Sequence, residues 1–289
     1  MPRIFQHKRT GLPFCLLALM ALISMGCVAE PETTDVKEAI APIPVAPTNK
    51  DSSDYHDMSL SDLVLLAEDS LGKNDIESVK AAIAEIRSRK EQLTWRMKMD
   101  VARVLFGAGA MKDSAEVYDE ILAANPNSKP QFWQRGLALY YANEFEKGAD
   151  QFESHQTYNS QDVENSVWHL LCQSRLTSVQ EARKKMIPIE HDSRVPMKQV
   201  FDMFAGTGSP EEVLDACGYK KSKPKLSGQI YHGLIYVGLF HEMMGNQKAS
   251  QESMIEALTH KPDMPGLMGH VAEGHLRARI AYPADQSDK

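Results

Sequence analysis

The sequence predicts an all-α protein built as a stack of antiparallel helix hairpins, closed by a C-terminal capping helix. Three observations support this fold class. Apolar residues recur at helical spacing from about residue 58 to 280, and no strand-like alternation stands out. Glycine, asparagine and proline fall between these segments, where helices end. A set of small and large residues also returns every 34 residues, which is the mark of a repeat array.

The repeat is clearest at Gly136, Gly148 and Phe152, which are two small residues followed by a large apolar one. One period earlier the corresponding residues are Ala102, Ser114 and Tyr118, and three periods later they are Gly238, Ser250 and Met254. One period later they are Leu170, Ala182 and Met186, where the agreement is looser. One hairpin cannot bury its apolar stripes alone, so neighbouring hairpins must stack on it. The sequence therefore predicts a solenoid.

Start and stop signals justify the individual helices. Ser59 or Ser61 caps the first helix, which ends near Gly72. Asn125-Pro126 ends the second hairpin, because proline cannot continue the hydrogen-bond ladder. Asn143 makes the turn of the third hairpin. The predicted helices are 60–72, 76–89, two within 93–125, two within 132–155, 160–177, 179–186, 197–204, one starting at 210, 229–244, 247–259 and 264–280.

The later hairpins have signals of the same kind. Gly206-Thr207-Gly208 breaks one helix, and Ser209-Pro210-Glu211-Glu212 starts the next as N-cap, N1 proline and acidic first turn. Gly245-Asn246 joins the last hairpin. Residues 264–280 then supply the closing helix that such stacks need for solubility.

The period of 34 residues resembles the tetratricopeptide repeat (TPR). Three segments are similar to a narrower group, the NlpI-type repeat lipoproteins of bacterial envelopes, in the same order: Arg135 to Tyr141, Phe201 to Leu214, and Tyr231 to Gly245. The similarity covers about residues 95–262. It implies a lipid-anchored, non-enzymatic adaptor facing the periplasm that binds peptidoglycan hydrolases or a tail-specific protease and can form a homodimer.

The first 26 residues are predicted to be a signal peptide. Three basic residues precede an apolar run from Leu12 to Met25, which is shorter than the ~20 residues of a membrane-spanning helix. The Gly26-Cys27 step resembles a bacterial lipobox, with Ser24 in place of the usual leucine, and predicts lipidation of Cys27. Val28 after that cysteine favours the outer membrane by the sorting habit of such lipoproteins. The alternative is cleavage after Ala29, which releases a soluble periplasmic protein.

The chain is thereby divided into four parts. Residues 1–26 are the signal peptide, and residues 27–57 form a Pro-rich tether that cannot bury a core. Residues 58–280 form the helical repeat domain, and residues 281–289 a flexible tail. Cys172 and Cys217 sit on apolar helical stretches of the domain, where a disulfide and two buried thiols both remain open.

Composition and motifs favour binding over catalysis. The formal charge of −7 argues against nucleic acid, which requires a basic stripe. His241-Glu242 lacks the second histidine of a zinc protease, and Gly206-Thr207-Gly208 lacks the further residues of a phosphate loop. We therefore expect no enzyme activity, no cofactor and no metal.

By the geometry usual in this repeat family, the first helices of the hairpins line a groove. The residues predicted to face a partner protein there are Arg103, Phe106, Trp133, Leu137, Tyr140, Tyr141 and Arg175. Tryptophan, tyrosine and arginine are enriched at the energetic centres of interfaces. In this hypothesis Arg103 or Arg175 pairs with acidic or C-terminal groups of the partner. A rival hypothesis is self-assembly through Met243, Met244 and Met254.

Overall fold

The computed structural model describes residues 53–73, 75–220, 227–262 and 266–281. All of these residues belong to one compact unit. The predicted signal peptide, Cys27, most of the tether and residues 282–289 of the tail lie outside the described residues. No helix among the described residues combines the length and the apolar character needed to cross a membrane.

The described residues form fourteen α-helices and three short 3-10 helices, and no strand occurs among them. The α-helices are α1 (Ser53–His56), α2 (Leu60–Gly72), α3 (Ile76–Ser88), α4 (Trp95–Gly107), α5 (Met111–Ala124), α6 (Trp133–Tyr141), α7 (Phe145–His155), α8 (Val163–Leu176), α9 (Val179–Lys184), α10 (Met197–Ala205), α11 (Pro210–Cys217), α12 (Ser227–Met243), α13 (Gln247–Thr259) and α14 (Val271–Ala281). The 3-10 helices are Lys90–Gln92, Pro126–Gln131 and Leu267–His270.

Consecutive helices pack in pairs, as a stack of hairpins requires. The pairs are α2 with α3, α4 with α5, α6 with α7, α8 with α9, α10 with α11, and α12 with α13. Neighbouring pairs are joined by further packing, such as α5 on α6 and α7 on α8. The predicted fold class, an all-α array of helix hairpins, is confirmed.

The 34-residue period corresponds to a repeated contact inside the hairpins. The Ser114 hydroxyl donates to the Ala102 carbonyl at 2.8 Å. A Cβ built on Gly136 would lie 2.5 Å from the Phe152 ring, and one on Gly238 would lie 2.9 Å from the Met254 methyl group. Small residues therefore recur because two helices of one hairpin approach closely at these positions.

The predicted caps and turns are also present. Ser59 accepts a hydrogen bond from the Asp62 amide, and Ser209 forms a capping box with Glu212. Gly206 ends α10 with a φ of 88°. Asn143 adopts a φ of 63° between α6 and α7, a left-handed conformation that asparagine tolerates better than most residues.

The folded region begins earlier than the sequence predicted. Residues 53–56, assigned to the tether, form α1, which packs on α3. The Arg89 guanidinium holds this segment by donating to the Tyr55 and Met58 carbonyl oxygens at 3.0 and 2.8 Å. The composition of this segment predicted a spacer, because composition does not show contacts with a residue more than thirty positions away.

Two groups of buried apolar residues form the interior. The N-terminal cluster runs from Leu60 to Phe132 and lies within α2 to α5 and their connections. The C-terminal cluster runs from Phe106 to Ala278 and includes most of α6 to α14. The closing segment, residues 267–281, packs on α13 as expected of a capping helix, and also on α4. Arg277 donates a hydrogen bond to the Gly107 carbonyl, which links the end of the fold to its second hairpin.

Candidate functional site

A pocket opens between two consecutive hairpins and the closing segment. Its cavity volume is about 30 Å³. This is far below the roughly 300–1,000 Å³ of pockets for drug-sized ligands, and leaves room for one small group, such as the end of a side chain. The lining residues are Trp133, Phe152, Asp162, Glu164, Asn165, Trp168 and Met268.

Local sequence explains how these side chains meet. Trp133 opens α6 directly after the 3-10 helix Pro126–Gln131. Asp162 is the N-cap of α8, and its carboxylate accepts from the Glu164 amide at 3.1 Å. Glu164 and Trp168 are four residues apart, so they share one face of α8. Met268 arrives from the 3-10 helix of the closing segment.

One edge of the pocket carries an acidic group. Arg194 donates to Asp162 at 2.5 Å, to Glu164 at 2.6 Å and to Asp192 at 2.6 Å. One guanidinium therefore faces three carboxylates. Burial by itself would raise the pKa of Asp162, but the neighbouring His155 and Arg194 outweigh it and lower that pKa below its usual value. Asp162 is consequently ionised at neutral pH.

Two of the lining residues have buried polar atoms without a hydrogen-bond partner. These atoms are the indole nitrogen Nε1 of Trp168 and the amide oxygen Oδ1 of Asn165. The Asn165 nitrogen is already used, because it donates to the Phe152 carbonyl at 3.1 Å. The indole nitrogen is a hydrogen-bond donor and the amide oxygen an acceptor, so the two atoms require different partners.

Behind Trp168 lies a buried network of charged and aromatic residues. The Trp168 ring is 5.5 Å from that of Tyr140, whose hydroxyl donates to Glu242 at 2.9 Å. Glu242, which is 1% exposed, also contacts the guanidinium groups of Arg175 and Arg279. Arg279 lies over the Tyr140 and Tyr141 rings, 5.3 and 4.9 Å from their centroids. We refer to these residues and His275 as the Glu242 network.

Electrostatics fix the charge states of the Glu242 network. Burial would raise the pKa of Glu242, but Arg279, His275 and Arg175 lower it to about 2. Burial lowers the pKa of His275 to about 4, so its ring is neutral at neutral pH. That ring is hydrogen bonded to the Tyr141 hydroxyl at 3.1 Å and to the Ser250 hydroxyl at 3.2 Å. Burial raises the pKa of Tyr140 to about 12.

The prediction that the first helices expose a row of partner-binding residues is wrong for four of them. Phe106, Leu137, Tyr140 and Tyr141 are fully buried in the C-terminal cluster. The physical reason for three of them is the closing segment. A Cβ on Gly274 would lie 3.0 Å from the Phe106 ring, while His275 and Arg279 cover the two tyrosines.

The other three predicted site residues, Arg103, Arg175 and Trp133, lie in three different environments. Arg103 is an ion-pair partner of Glu68 and Asp100 beside the N-terminal cluster, and Arg175 pairs with Glu242. Both charges are therefore compensated within the chain. Trp133 is partly buried and lines the pocket. It is the one residue of the predicted set that the structure places there.

The pocket residues of α8 were missed by sequence reasoning. Asp162 and Glu164 have a local signal, since acidic residues favour the first turn of a helix, but that signal explains capping alone. Their convergence on Arg194 spans about thirty residues. Only the fold shows it.

Burial decides two further predictions, self-assembly through three methionines and the state of the two cysteines. Met243 and Met254 are interior, because they pack in the C-terminal cluster, and only Met244 of the proposed self-assembly surface is exposed, at 51%. Cys172 and Cys217 are buried thiols with no disulfide. Cys172 lies against Gly148 and Cys217 against Gly233, in different hairpins.

No protein-family model matches the chain, and no curated protein is significantly similar to it. Within residues 53–73, 75–220, 227–262 and 266–281, no group of three or more histidine, cysteine, aspartate or glutamate side chains is placed to hold a metal ion.

Proposed function

We propose that the protein is a repeat adaptor that binds other proteins at the Trp133 pocket. The observation that supports this most is the composition of the pocket: a partly exposed tryptophan, a second tryptophan behind it and two buried polar atoms with open valences. Aromatic side chains that line a pocket are typical of the centre of an interface.

The architecture supports the same proposal. The pocket is assembled from α6, α7, α8 and the closing segment, so its walls are held by packing inside the stack. Side chains held in this way lose little conformational freedom on binding, which favours affinity. Stacked hairpins commonly present binding surfaces of this kind.

We place this adaptor in the bacterial cell envelope, anchored by lipid on Cys27 and facing the periplasm. The support is the sequence of residues 1–26, the Gly26-Cys27 step and the Pro-rich stretch up to residue 52. Two or more acyl chains would hold the protein stably at a membrane. By the resemblance to NlpI-type lipoproteins, the partners are peptidoglycan hydrolases or a tail-specific protease.

Photocrosslinking in intact cells tests the binding proposal. A photoreactive amino acid at position 133 is expected to capture a discrete set of envelope proteins. The matched control is position 95, because Trp95 is 59% exposed and lies outside the pocket. Identical products from both positions, or none from position 133, would refute the proposal.

Metabolic labelling with an alkyne-tagged fatty acid tests the anchor separately. The wild-type chain should incorporate the label, and Cys27→Ala should not. Cys15→Ala is the control, since the other cysteine of the N-terminal region is expected to be removed with the signal peptide. Absence of label from the wild-type chain would leave the soluble periplasmic form as the better description, and label that persists in Cys27→Ala would refute Cys27 as the lipidated residue.

A further inference from the structure

We propose that the Trp133 pocket recognises a basic side chain, lysine or arginine, of its protein partner. This inference rests on the proposed function and adds the chemistry of the partner residue. It does not depend on where in the cell the protein acts. It follows from the charge of the pocket edge, the apolar walls of the pocket and the open acceptor of Asn165.

The charge at the pocket edge is negative. Asp162, Glu164 and Asp192 contribute three carboxylates, and Arg194 supplies one guanidinium. His155 lies 3.9 Å from Asp162, and contacts with Asp162 and the Pro130 carbonyl raise its pKa despite its burial. Even with His155 protonated, one negative charge is left. A cationic group completes this balance, whereas an acidic partner would be repelled.

The walls of the pocket suit the rest of such a side chain. Lysine and arginine carry an aliphatic stem that packs on apolar surface while the charged end stays with polar groups. Trp133, Phe152, Trp168 and Met268 provide apolar and aromatic surface beside the acidic edge. Tryptophan is also the best aromatic partner for a cation.

The open hydrogen-bond valence of Asn165 points to a donor. Its Oδ1 is a buried acceptor without a partner, and Asn165 itself is 2% exposed. Ammonium and guanidinium groups are donors only. Both Glu164 oxygens already accept hydrogen bonds, one from Arg194 and one from Tyr236 at 2.6 Å. The Asn165 oxygen is therefore the position that a ligand donor would satisfy.

The test uses the full-length chain with short peptide probes. Three capped tripeptides are compared, serine-X-serine with lysine, arginine or norleucine at X, while the indole N–H resonances of the three tryptophans are followed by NMR. We expect the lysine and arginine peptides to shift the Trp133 and Trp168 signals saturably and to leave Trp95 unmoved. The norleucine peptide should bind about tenfold more weakly or not at all.

A matched pair of variants identifies the charge responsible. Asp162→Asn retains a good N-cap for α8 and removes one carboxylate charge. It should weaken the lysine peptide about three- to fivefold and leave the norleucine peptide unchanged. Asp150→Asn removes the same charge from an exposed pair with Lys129 outside the pocket and should have no effect.

The outcomes that overturn the inference are distinct from those that overturn the proposed function. Equal binding of norleucine and lysine peptides, equal shifts of all three tryptophans, or no shift at all would each reject a basic-side-chain pocket. If photocrosslinks at position 133 still identify partners in those cases, the adaptor function stands and this inference alone fails. Absence of such crosslinks rejects the function itself.

Discussion

The two apolar clusters of this protein differ in where their charged side chains lie. In the N-terminal cluster, charged side chains lie at the edge, as in the partly exposed pairs Arg103–Glu68 and Arg87–Asp113. In the C-terminal cluster, Glu242, His275 and Arg279 lie inside the packed helices. The first arrangement needs only apolar faces at helical spacing. The second joins residues of α6, α8, α12 and α14 into one network.

This difference shows which part of the fold is held by repeated local contacts and which by a single long-range set. Hairpin contacts such as Ser114 with Ala102 recur along the chain and depend on near neighbours. The Glu242 network instead joins the closing segment to the middle of the stack. Substitutions in the two clusters test this contrast, and the largest effect is expected at Glu242.

Removing the charge of Glu242 should destabilise the protein more than any substitution in a hairpin contact or at the surface. Glu242→Gln keeps the side-chain shape but leaves Arg175 and Arg279 without their buried counter-charge. Losing one partner of a buried ion pair costs about 3–5 kcal/mol. The measurement is the free energy of unfolding in urea at pH 7. A loss below about 1 kcal/mol would mean that the network does not stabilise the C-terminal cluster.

Acid should weaken the fold through His275 before it protonates Glu242. The pKa of His275 falls from its ordinary value of 6.5 to about 4 on folding, so between these values the unfolded chain binds more protons. The contribution of His275 to stability is therefore complete above pH 6.5, and about 3 kcal/mol of it is lost as the pH drops toward 4. The folded pKa of Glu242 is also depressed, so its contribution is lost at still lower pH, from about 4.5 to 2.

Urea unfolding at pH 7 and pH 4.5 measures this effect. In His275→Gln the loss of stability between these pH values should be clearly smaller than in the wild-type chain, whatever the stability of the variant at pH 7. The loss of stability between the two pH values is compared, and not the stability itself, because the substitution also changes the contacts of the ring with Tyr141 and Ser250. Equal losses would show that His275 is not buried as a neutral ring.

Adding one methyl group at Gly136 should disturb the hairpin contact itself. The new Cβ would lie 2.5 Å from the Phe152 ring, so the ring or the helix must shift. Such overpacking costs about 1–3 kcal/mol. Gly72→Ala is the matched control, because nothing lies within 4 Å of the added atom and alanine is the better helix former. In thermal unfolding, Gly136→Ala should lower the Tm, whereas Gly72→Ala should raise it.

The smallest effect is expected at the edge of the N-terminal cluster. Glu68→Gln removes one partner of Arg103, which keeps its contact with Asp100. Partly exposed ion pairs contribute about 0–1 kcal/mol, so the unfolding free energy should change by no more than that. A loss of several kcal/mol would remove the contrast between the two clusters.

The sequence predicts the parts of the fold that depend on local pattern. The helix hairpins, the caps at Ser59 and Ser209 and the spacing of Gly136 and Gly148 all follow from propensity and period. It placed Trp133 in a binding region because tryptophan on a first helix is a common interface residue.

Local pattern does not predict where distant segments of the chain meet. Tyr140 and Tyr141 have the periodicity of groove residues, and nothing near them in sequence shows that Arg279 and His275 cover them. The acidic edge of the pocket was missed because Arg194 approaches Asp162 and Glu164 from another loop. Periodicity identifies an inward face but does not identify what packs against it.

The binding role of the Trp133 pocket is tested most directly by the affinity of a partner identified by crosslinking at position 133. The dissociation constant is compared among the wild-type chain, Trp133→Ala and Trp95→Ala. We predict that Trp133→Ala weakens binding by at least ~2 kcal/mol, about 30-fold, and that Trp95→Ala changes nothing. Equal affinity of all three chains would contradict a binding role for the pocket.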